Sequence, residues 1–273
     1  MIHFVFPKDL MTPTRPDPMF AEQFTALQDA GFSASLASVA NPASARVLVK
    51  VPAESEVVYR GWMLKKQEYA ALVQGIEQCG ASAFTGTQQY LAAHHLPNWY
   101  PLIAEITPET RVYPANADIE RELRALNWGA YFLKDYVKSL KTARGSIVRD
   151  PADAPAVLAE MLEYRSEIEG GICVRRVEDF IPETERRYFV LNGVAYATSA
   201  TTPIPDVVTL CCDRVPSRFF SVDVVQRRDG QVRVVEIGDG QVSDVVGWSV
   251  DAFVEIWTRY RTSSNCATER VRN

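Results

Sequence analysis

The chain has 273 residues, of which 47% are hydrophobic and 23% charged, as expected of a soluble globular enzyme with one large domain or two smaller ones. The net charge of −5 argues against a surface that binds nucleic acid or anionic membranes, and no apolar run is long enough to span a bilayer. The first residues lack a signal-peptide core and the five cysteines include no C-x-x-C pair, so we expect a cytoplasmic protein without disulfide bonds.

The first 106 residues alternate between predicted strands and predicted helices. Apolar runs indicate the strands, and helical spacing of apolar residues that ends near glycine or proline indicates the helices. The predicted strands are Ile2–Phe6, Val47–Val51 and Val57–Trp62, and the predicted helices are Phe20–Ala30, Tyr69–Cys79 and Thr87–Leu96. This alternation predicts a small α/β layer. Because no Gly-x-Gly-x-x-Gly follows the first strand, we do not expect a dinucleotide site there.

Arg60, in the segment YRGWML, lies at the predicted end of a strand, which is where open α/β sheets contact their ligands. A surface ion pair is the alternative explanation for this arginine. His94 and His95 are neighbours on a predicted helix and therefore point to different sides of it. We expect both histidines to pack or to form hydrogen bonds rather than to bind one metal ion.

A second unit begins near Thr107 with a predicted helix, Asp118–Trp128, and a predicted strand, Ala130–Ser139. On that strand Lys134 and Lys138 would share one face, where they either bind phosphate oxygens or lie on a solvated edge. The sequence alone leaves both explanations open.

The polar segment 141–146 resembles a loop that covers phosphates, although it is not a Walker motif because no G-x-x-x-x-G-K-[ST] precedes a helix. We predict a helix at Asp153–Arg165 and a strand at Ile172–Val177, which carries Arg175. Next, Asn192-Gly193 predicts a tight turn between two further strands. In that hairpin register, one face carries Glu185, Arg187 and Phe189.

Two valine-rich strands joined by Asp229-Gly230 predict a hairpin with a two-residue turn, which places Asp223 directly opposite Glu236. Two carboxylates about 5 Å apart repel each other by about 3 kcal/mol at an effective dielectric constant near 20. A favourable cross-strand pair contributes no more than ~1 kcal/mol, so this pair needs a compensating cation. Magnesium is one candidate, and Arg227 or Arg218 on a wet surface is the alternative.

The segment Gly238-Asp239-Gly240 predicts a bulge or turn that directs Asp239 towards the same metal ion. A closing helix is predicted at Asp251–Arg261. We therefore expect three parts: an α/β domain at 1–106, a second domain at 107–262, and a loose polar tail at 263–273. Within the second domain, the small lobe is 107–171 and the catalytic lobe is 172–262.

In this order, the segments YRGWML, HHLPNWYP, FLKDYVKS, ERRYFVLNG and VVEIGDGQVS resemble the ATP-grasp superfamily, and within it a little-characterised subgroup from bacteria and phages. The resemblance implies an α/β ATP-grasp fold with a small α/β pre-ATP-grasp domain in front. It also implies ATP and magnesium as cofactors, with the nucleotide between two lobes.

The resemblance implies a role for several residues. Lys134 would contact the ATP phosphates and Lys138 would be a second phosphate contact. Glu178 would lie near the adenine hinge, Glu185 near the ribose, and Arg187 would face the γ-phosphate. These five assignments are carried over from the family pattern.

Asp223 and Glu236 match the two magnesium carboxylates of the family. Most members have an asparagine two residues after the glutamate, where this chain has Gly238, so Asp239 is the expected substitute. Arg60 and Arg175 are the candidates for holding a substrate carboxylate, because guanidinium groups match carboxylates bidentately.

The implied activity is ligation of a small carboxylate or a peptide to an amine or thiol through an acyl phosphate. The alternatives are a kinase of the same fold and a nucleotide-binding module without turnover. The sequence leaves open the acid, the acceptor and the oligomeric state, which includes a homodimer.

Overall fold

The computed structural model describes residues 1–38, 49–140 and 144–272 of the chain. The strands in these residues form three four-stranded sheets, and α-helices pack on all of them, which confirms the predicted mixed α/β class. None of the helices in the described part of the chain combines the length and apolar character that a membrane-spanning helix needs.

The N-terminal sheet is parallel and has the strand order β2-β1-β3-β4, as an α/β layer requires. Its strands are β1 (Ile2–Pro7), β2 (Ser33–Ala37), β3 (Glu56–Tyr59) and β4 (Ser82–Ala83). The helices of this region are α1 (Ala21–Asp29), α2 (Lys66–Gln78), α3 (Thr87–His94) and α4 (Leu96–Trp99).

One predicted strand of this region is not found. Residues 47 and 48 of the predicted strand Val47–Val51 lie outside the described residues, and residues 49–51 are not in a strand. Strand β2 was not predicted from the sequence, because Ser-Ala-Ser-Leu-Ala lacks the β-branched and aromatic residues that usually mark strands.

The small sheet is antiparallel and has the strand order β5-β8-β6-β7. Its strands are β5 (Thr110–Tyr113), β6 (Tyr131–Lys134), β7 (Ile147–Val148) and β8 (Ile172–Arg176). Helices α5 (Ile119–Leu126) and α6 (Ala154–Arg165) cover it, and Leu123, Leu133 and Val174 are fully buried between them.

Strand β6 ends at Lys134, five residues earlier than predicted. The reason is Asp135, whose Oδ1 accepts hydrogen bonds from the backbone N–H groups of Val137 (2.7 Å) and Lys138 (2.6 Å). Such local side-chain bonds favour a turn over an extended strand. The prediction that Lys134 and Lys138 share one strand face is therefore wrong.

The large sheet is antiparallel and has the strand order β10-β9-β11-β12. Its strands are β9 (Phe180–Leu191), β10 (Val194–Tyr196), β11 (Phe219–Arg227) and β12 (Val232–Asp239), and its helices are α7 (Asp206–Arg214) and α8 (Val250–Arg272). One face carries Phe189 and Phe219 and packs against α8 and the N-terminal sheet. The other face carries Val222 and Val234 and packs against Trp99.

The Asn192-Gly193 turn is confirmed. Val194 pairs with Leu191 and Tyr196 with Phe189, as the predicted register requires. Both turn residues have positive φ angles, 50° and 79°, as a type I′ turn demands.

The Asp229-Gly230 turn differs from the prediction, yet the register at the site is as predicted. The Arg227 N–H donates to the Gln231 carbonyl (2.8 Å), so the loop has three residues rather than two. A β-bulge next to Asp223 restores the register, and Asp223 pairs with Glu236. Because of the bulge Val234 is fully buried, and Val235, which we expected on the buried face, is only half-buried.

The predicted loose tail at 263–273 is also wrong, because α8 continues as far as Arg272. The Thr262 hydroxyl donates to the Thr258 carbonyl (3.0 Å) and the Ser263 hydroxyl to the Arg259 carbonyl (3.0 Å). Polar residues after Arg261 therefore satisfy their side chains within the helix, where extension costs little once the helix has formed.

Candidate active site

A cleft of about 610 Å³ lies where the three sheets meet. The N-terminal sheet contributes residues 61–63 after β3, and the turn after β6 contributes residues 137–140. The large sheet contributes Arg187, Ser221 and Glu236, and the loop after β12 contributes Ser243 and Asp244. The cleft is therefore built from segments that are far apart in the sequence.

Four charged side chains, here called the charged row, run across one face at this cleft. They are Arg187 on β9, Asp223 on β11, Glu236 on β12 and Lys134 on β6. Asp223 lies directly opposite Arg187 on one side and Glu236 on the other, so the signs alternate as plus, minus, minus, plus. The two predicted carboxylates are thus adjacent, and each has its own cation.

The Arg187–Asp223 pair is bidentate, with Nε to Oδ1 at 2.7 Å and Nη2 to Oδ2 at 2.6 Å. Arg187 Nη1 also donates to the Asp244 carbonyl at 2.7 Å. Burial raises the pKa of Asp223, and the hydrogen bond and charge of Arg187 oppose that rise. The compensating arginine is therefore Arg187 and not Arg227 or Arg218, which the sequence had suggested.

Lys134 and Glu236 join the small sheet to the large sheet, with Nζ and Oε1 3.2 Å apart. Lys134 is almost fully buried, whereas the Glu236 side chain is 46% exposed. Desolvation would raise the pKa of Glu236, but the charge and hydrogen bond of Lys134, with Arg187 and Arg175, outweigh it and lower the pKa.

Comparison with known proteins identifies this arrangement. Residues 125–258, which contain the whole charged row, match the family model of an ATP-grasp domain, family 3 of its clade. The chain carries an ATP-grasp domain. No curated protein sequence is detectably similar to this chain.

Solved structures of ATP-grasp proteins share the fold over nearly the whole chain. D-cycloserine synthetase DcsG is 13% identical, with 95% of this chain and 99% of that chain covered and a TM-score of 0.62. A RimK domain ATP-grasp protein from Sphaerobacter thermophilus DSM 20745 is 17% identical, covers 93% and 98%, and has a TM-score of 0.61. The macrocyclase MdnC from Microcystis aeruginosa MRC, bound with its precursor peptide MdnA, is 10% identical, covers 95% and 100%, and has a TM-score of 0.58.

ATP and magnesium are the cofactors of ATP-grasp ligases, and ATP-dependent ligation is the activity at the level of the superfamily. The residues at the cleft fit a magnesium ion, because Asp223 and Glu236 present hard carboxylate oxygens side by side on one sheet face. Among the described residues no group of three or more His, Cys, Asp or Glu side chains is arranged as a metal site. The carboxylates of this chain therefore supply two ligands and not three.

Asp239, the predicted third carboxylate, is not with the other two. Regular pairing continues through Gly238 and Asp239, so the bulge expected there is absent and Asp239 lies on the opposite face of β12 from Glu236. Its Oδ1 accepts from the backbone and side-chain N–H groups of Gln241 (3.0 and 3.2 Å), and its Oδ2 has no partner among the described residues. Burial raises the pKa of Asp239 to about 7.

Arg60 is not placed to bind a substrate carboxylate, because it is fully buried and its donors are occupied. Nη1 donates to the carbonyls of Gly240 (2.6 Å), Gln241 (3.0 Å) and Ser243 (3.0 Å). Nε and Nη2 donate to Gln23 Oε1 at 3.1 and 2.8 Å. Arg60 thus holds the loop that follows β12.

Arg175 is also buried and unavailable as a carboxylate clamp. It donates to the carbonyl of Val235, which is the bulge residue of β12, and to Thr107 Oγ1 at 2.7 Å. Burial lowers its pKa to about 10. Its position supports the bulge that brings Asp223 and Glu236 into register.

The remaining predicted ligands are dispersed. Lys138 lines the cleft and is exposed. Glu178 binds Arg233 through both carboxylate oxygens, each at 3.0 Å, in a separate cavity of about 440 Å³. Glu185 is on β9, where the pairing with β11 shifts. The structure therefore does not bring Glu178 or Glu185 to the charged row.

Two serines at the cleft were missed from the sequence. Ser221 precedes Asp223 by two residues and so lies on the same face of β11. Its hydroxyl is 2.7 Å from that of Ser243, and both side chains line the cleft. Strand alternation around Asp223 could have found Ser221, but the contact with Ser243 depends on the loop that Arg60 holds.

Proposed function

We propose that this protein is a magnesium-dependent, ADP-forming ligase that activates a carboxylate as an acyl phosphate for attack by an amine or a thiol. The charged row is the observation that carries the proposal: two adjacent carboxylates flanked by two cations at the edge of one cleft. We also propose that residues 1–106 form the small domain in front of the ATP-grasp domain.

The proposed reaction has two steps. A carboxylate oxygen attacks the γ-phosphorus of ATP, the bond to the β-phosphate oxygen breaks, and ADP leaves. The amine nitrogen or thiol sulfur then attacks the carbonyl carbon of the acyl phosphate. The carbon–oxygen bond breaks, the nucleophile loses a proton, and phosphate leaves.

The chain contributes placement and charge to these steps. Magnesium bound by Asp223 and Glu236 neutralises charge on the β- and γ-phosphates. Lys134 and Arg187 lie on either side of those carboxylates and stabilise charge on the transferred phosphoryl group. Lys138, which lines the same cleft, is available for a second phosphate contact.

The mouth of the cleft favours a substrate with an apolar group. Large apolar side chains line it and remain exposed: Met19 (65%), Trp62 (51%), Met63 (43%), Tyr164 (69%) and Val246 (63%). Trp62 is nevertheless fixed, because its indole N–H donates to Asp17 Oδ2 (2.8 Å) and its ring packs edge-on against Phe20. A fixed, exposed tryptophan offers a rigid surface for apolar binding. The peptide bound by the structural relative MdnC is consistent with a peptide substrate here.

An ATP-consumption screen against amino acids and peptides tests the function. A ligase releases ADP and phosphate only when both an acid and a nucleophile are present, and hydroxylamine converts the activated acid into a hydroxamate. A phosphorylated product without free phosphate would instead establish a kinase. Nucleotide binding without ADP release from any acid would leave a binding module.

A further inference from the structure

Position 238 lacks a side chain because two serines occupy its space. A Cβ atom on Gly238 would lie 2.8 Å from Ser243 Oγ and 3.1 Å from Ser221 Oγ. Gly238 pairs with Ser221 and follows Glu236 by two residues, so its missing side chain would point to the face of the charged row. Hydroxyl oxygens therefore stand where a side chain at position 238 would begin.

The hydrogen bonds of the two serines leave the oxygen of Ser221 free to act as a ligand. The Ser243 hydroxyl donates to the Asp239 carbonyl at 2.8 Å, a much shorter contact than the 3.5 Å from Ser221 Oγ to the Gly238 carbonyl. The only proton of Ser243 is thus used, and Ser221 must be the donor in the 2.7 Å bond between them. No group in the described part of the chain donates to Ser221 Oγ, so both of its lone pairs remain.

The position of Ser243 is fixed by Arg60, whose Nη1 donates to the carbonyls on both sides of Val242 and to that of Gly240. Ser221 itself is 2% exposed and lies on a central strand of the large sheet. The pair is therefore a rigid, oriented unit at the cleft. This is the arrangement expected of a ligand with a supporting partner.

We propose that the Ser221 hydroxyl, oriented by Ser243, is a third protein ligand of the magnesium ion held by Asp223 and Glu236, in place of a side chain at position 238. The proposal rests on the proposed function, which supplies the nucleotide–magnesium site. A neutral hydroxyl oxygen is a suitable magnesium ligand beside two carboxylates, as in the phosphate-binding loop of nucleotide hydrolases.

Calorimetric titration of magnesium into protein saturated with ADP tests the assignment without any turnover. Ser221→Ala should weaken magnesium binding 10- to 100-fold, and Ser243→Ala about tenfold, the range typical of lost supporting contacts. ADP binding in EDTA should be unchanged in both. The matched control is Ser217→Ala, which removes a buried serine whose hydroxyl bonds only weakly, at 3.4 Å, to the Phe219 carbonyl. Wild-type magnesium affinity in Ser221→Ala would overturn the assignment and leave the proposed function standing.

A side-chain exchange gives a second, independent readout. Gly238→Asn alone should lower the melting temperature, because its Cβ would meet both hydroxyls. In a Ser221→Ala, Ser243→Ala background those oxygens are gone, and adding Gly238→Asn should restore about tenfold or more of the lost magnesium affinity. If affinity stays at the level of the serine-free variant, the serines only fill space. If the wild type binds neither ADP nor magnesium, the proposed function fails and this inference fails with it.

Discussion

Lys134 on the small sheet and Glu236 on the large sheet form an ion pair of 3.2 Å that crosses from one sheet to the other at the cleft. Lys134 is 5% exposed, so its charge depends on this partner more than Glu236 depends on Lys134. The pair therefore links the placement of a phosphate-binding cation to the placement of a metal-binding carboxylate.

Replacing Glu236 should cost stability as well as function. Glu236→Gln leaves the buried Lys134 without a counter-charge and should lower the free energy of unfolding by about 1–2 kcal/mol. This is less than the ~3–5 kcal/mol of a fully buried pair, because Glu236 is half exposed. Urea unfolding measures the change, and Glu255→Gln, in an exposed ion pair on α8, is the control. An unchanged or higher stability in Glu236→Gln would show that the ion pair does not hold the sheets.

Replacing Arg60 should destabilise the fold rather than weaken substrate binding selectively. Arg60→Ala leaves three carbonyls and the Gln23 amide oxygen unpartnered and should lower the free energy of unfolding by about 3 kcal/mol or more. The control Arg261→Ala, whose arginine also bonds two carbonyls but is half-buried, should cost about 1 kcal/mol. A stable Arg60→Ala protein with a raised KM for the acid alone would restore the carboxylate-binding role.

Asp239 should make stability depend on pH. Its pKa is about 7 in the folded protein, against an ordinary value of 3.8 for an aspartate, so the folded state binds the proton more tightly than the unfolded chain does. The stability from this group is complete below pH 3.8 and is lost as pH rises to 7. Asp239→Asn should therefore be more stable, relative to wild type, at pH 8 than at pH 5. Equal differences at the two pH values, in chemical unfolding, would mean that Asp239 is ionised throughout.

Trp62 should select the substrate. Trp62→Ala should raise KM about tenfold for acids with large apolar groups, which corresponds to about 1.4 kcal/mol, and should change KM little for small polar acids. Val194→Ala, an exposed apolar residue outside the cleft lining, is the control. The same loss for apolar and polar acids would mean that Trp62 supports the loop rather than the substrate.

The pairing of Asp223 with Glu236 could be predicted from the sequence although the turn could not. The predicted two-residue turn and the observed three-residue loop differ by one position, and the bulge at Val235 removes that difference before the site is reached. Alternation of buried residues along β11 limits the register to one choice on the buried face, whereas loop length is only a local preference.

The role of Arg60 could not be predicted, because its carbonyl acceptors lie 180 to 183 residues further along the chain. The course of the chain after Lys134 depended on one side chain, Asp135, whose bonds to two backbone N–H groups outweigh the strand pattern. Apolar periodicity reports which face of an element is buried. It does not report which polar groups meet across the fold.

The central claim is that ATP activates a carboxylate as an acyl phosphate, and transfer of oxygen tests it most directly. Once the screen has identified an acid, that acid is labelled with ¹⁸O in its carboxylate and turned over with ATP, magnesium and the nucleophile. Mass spectrometry of the released phosphate should then show one ¹⁸O atom per phosphate, because the acyl carbon–oxygen bond breaks in the second step. Unlabelled phosphate, or a label retained in a stable phosphorylated product, would contradict the account.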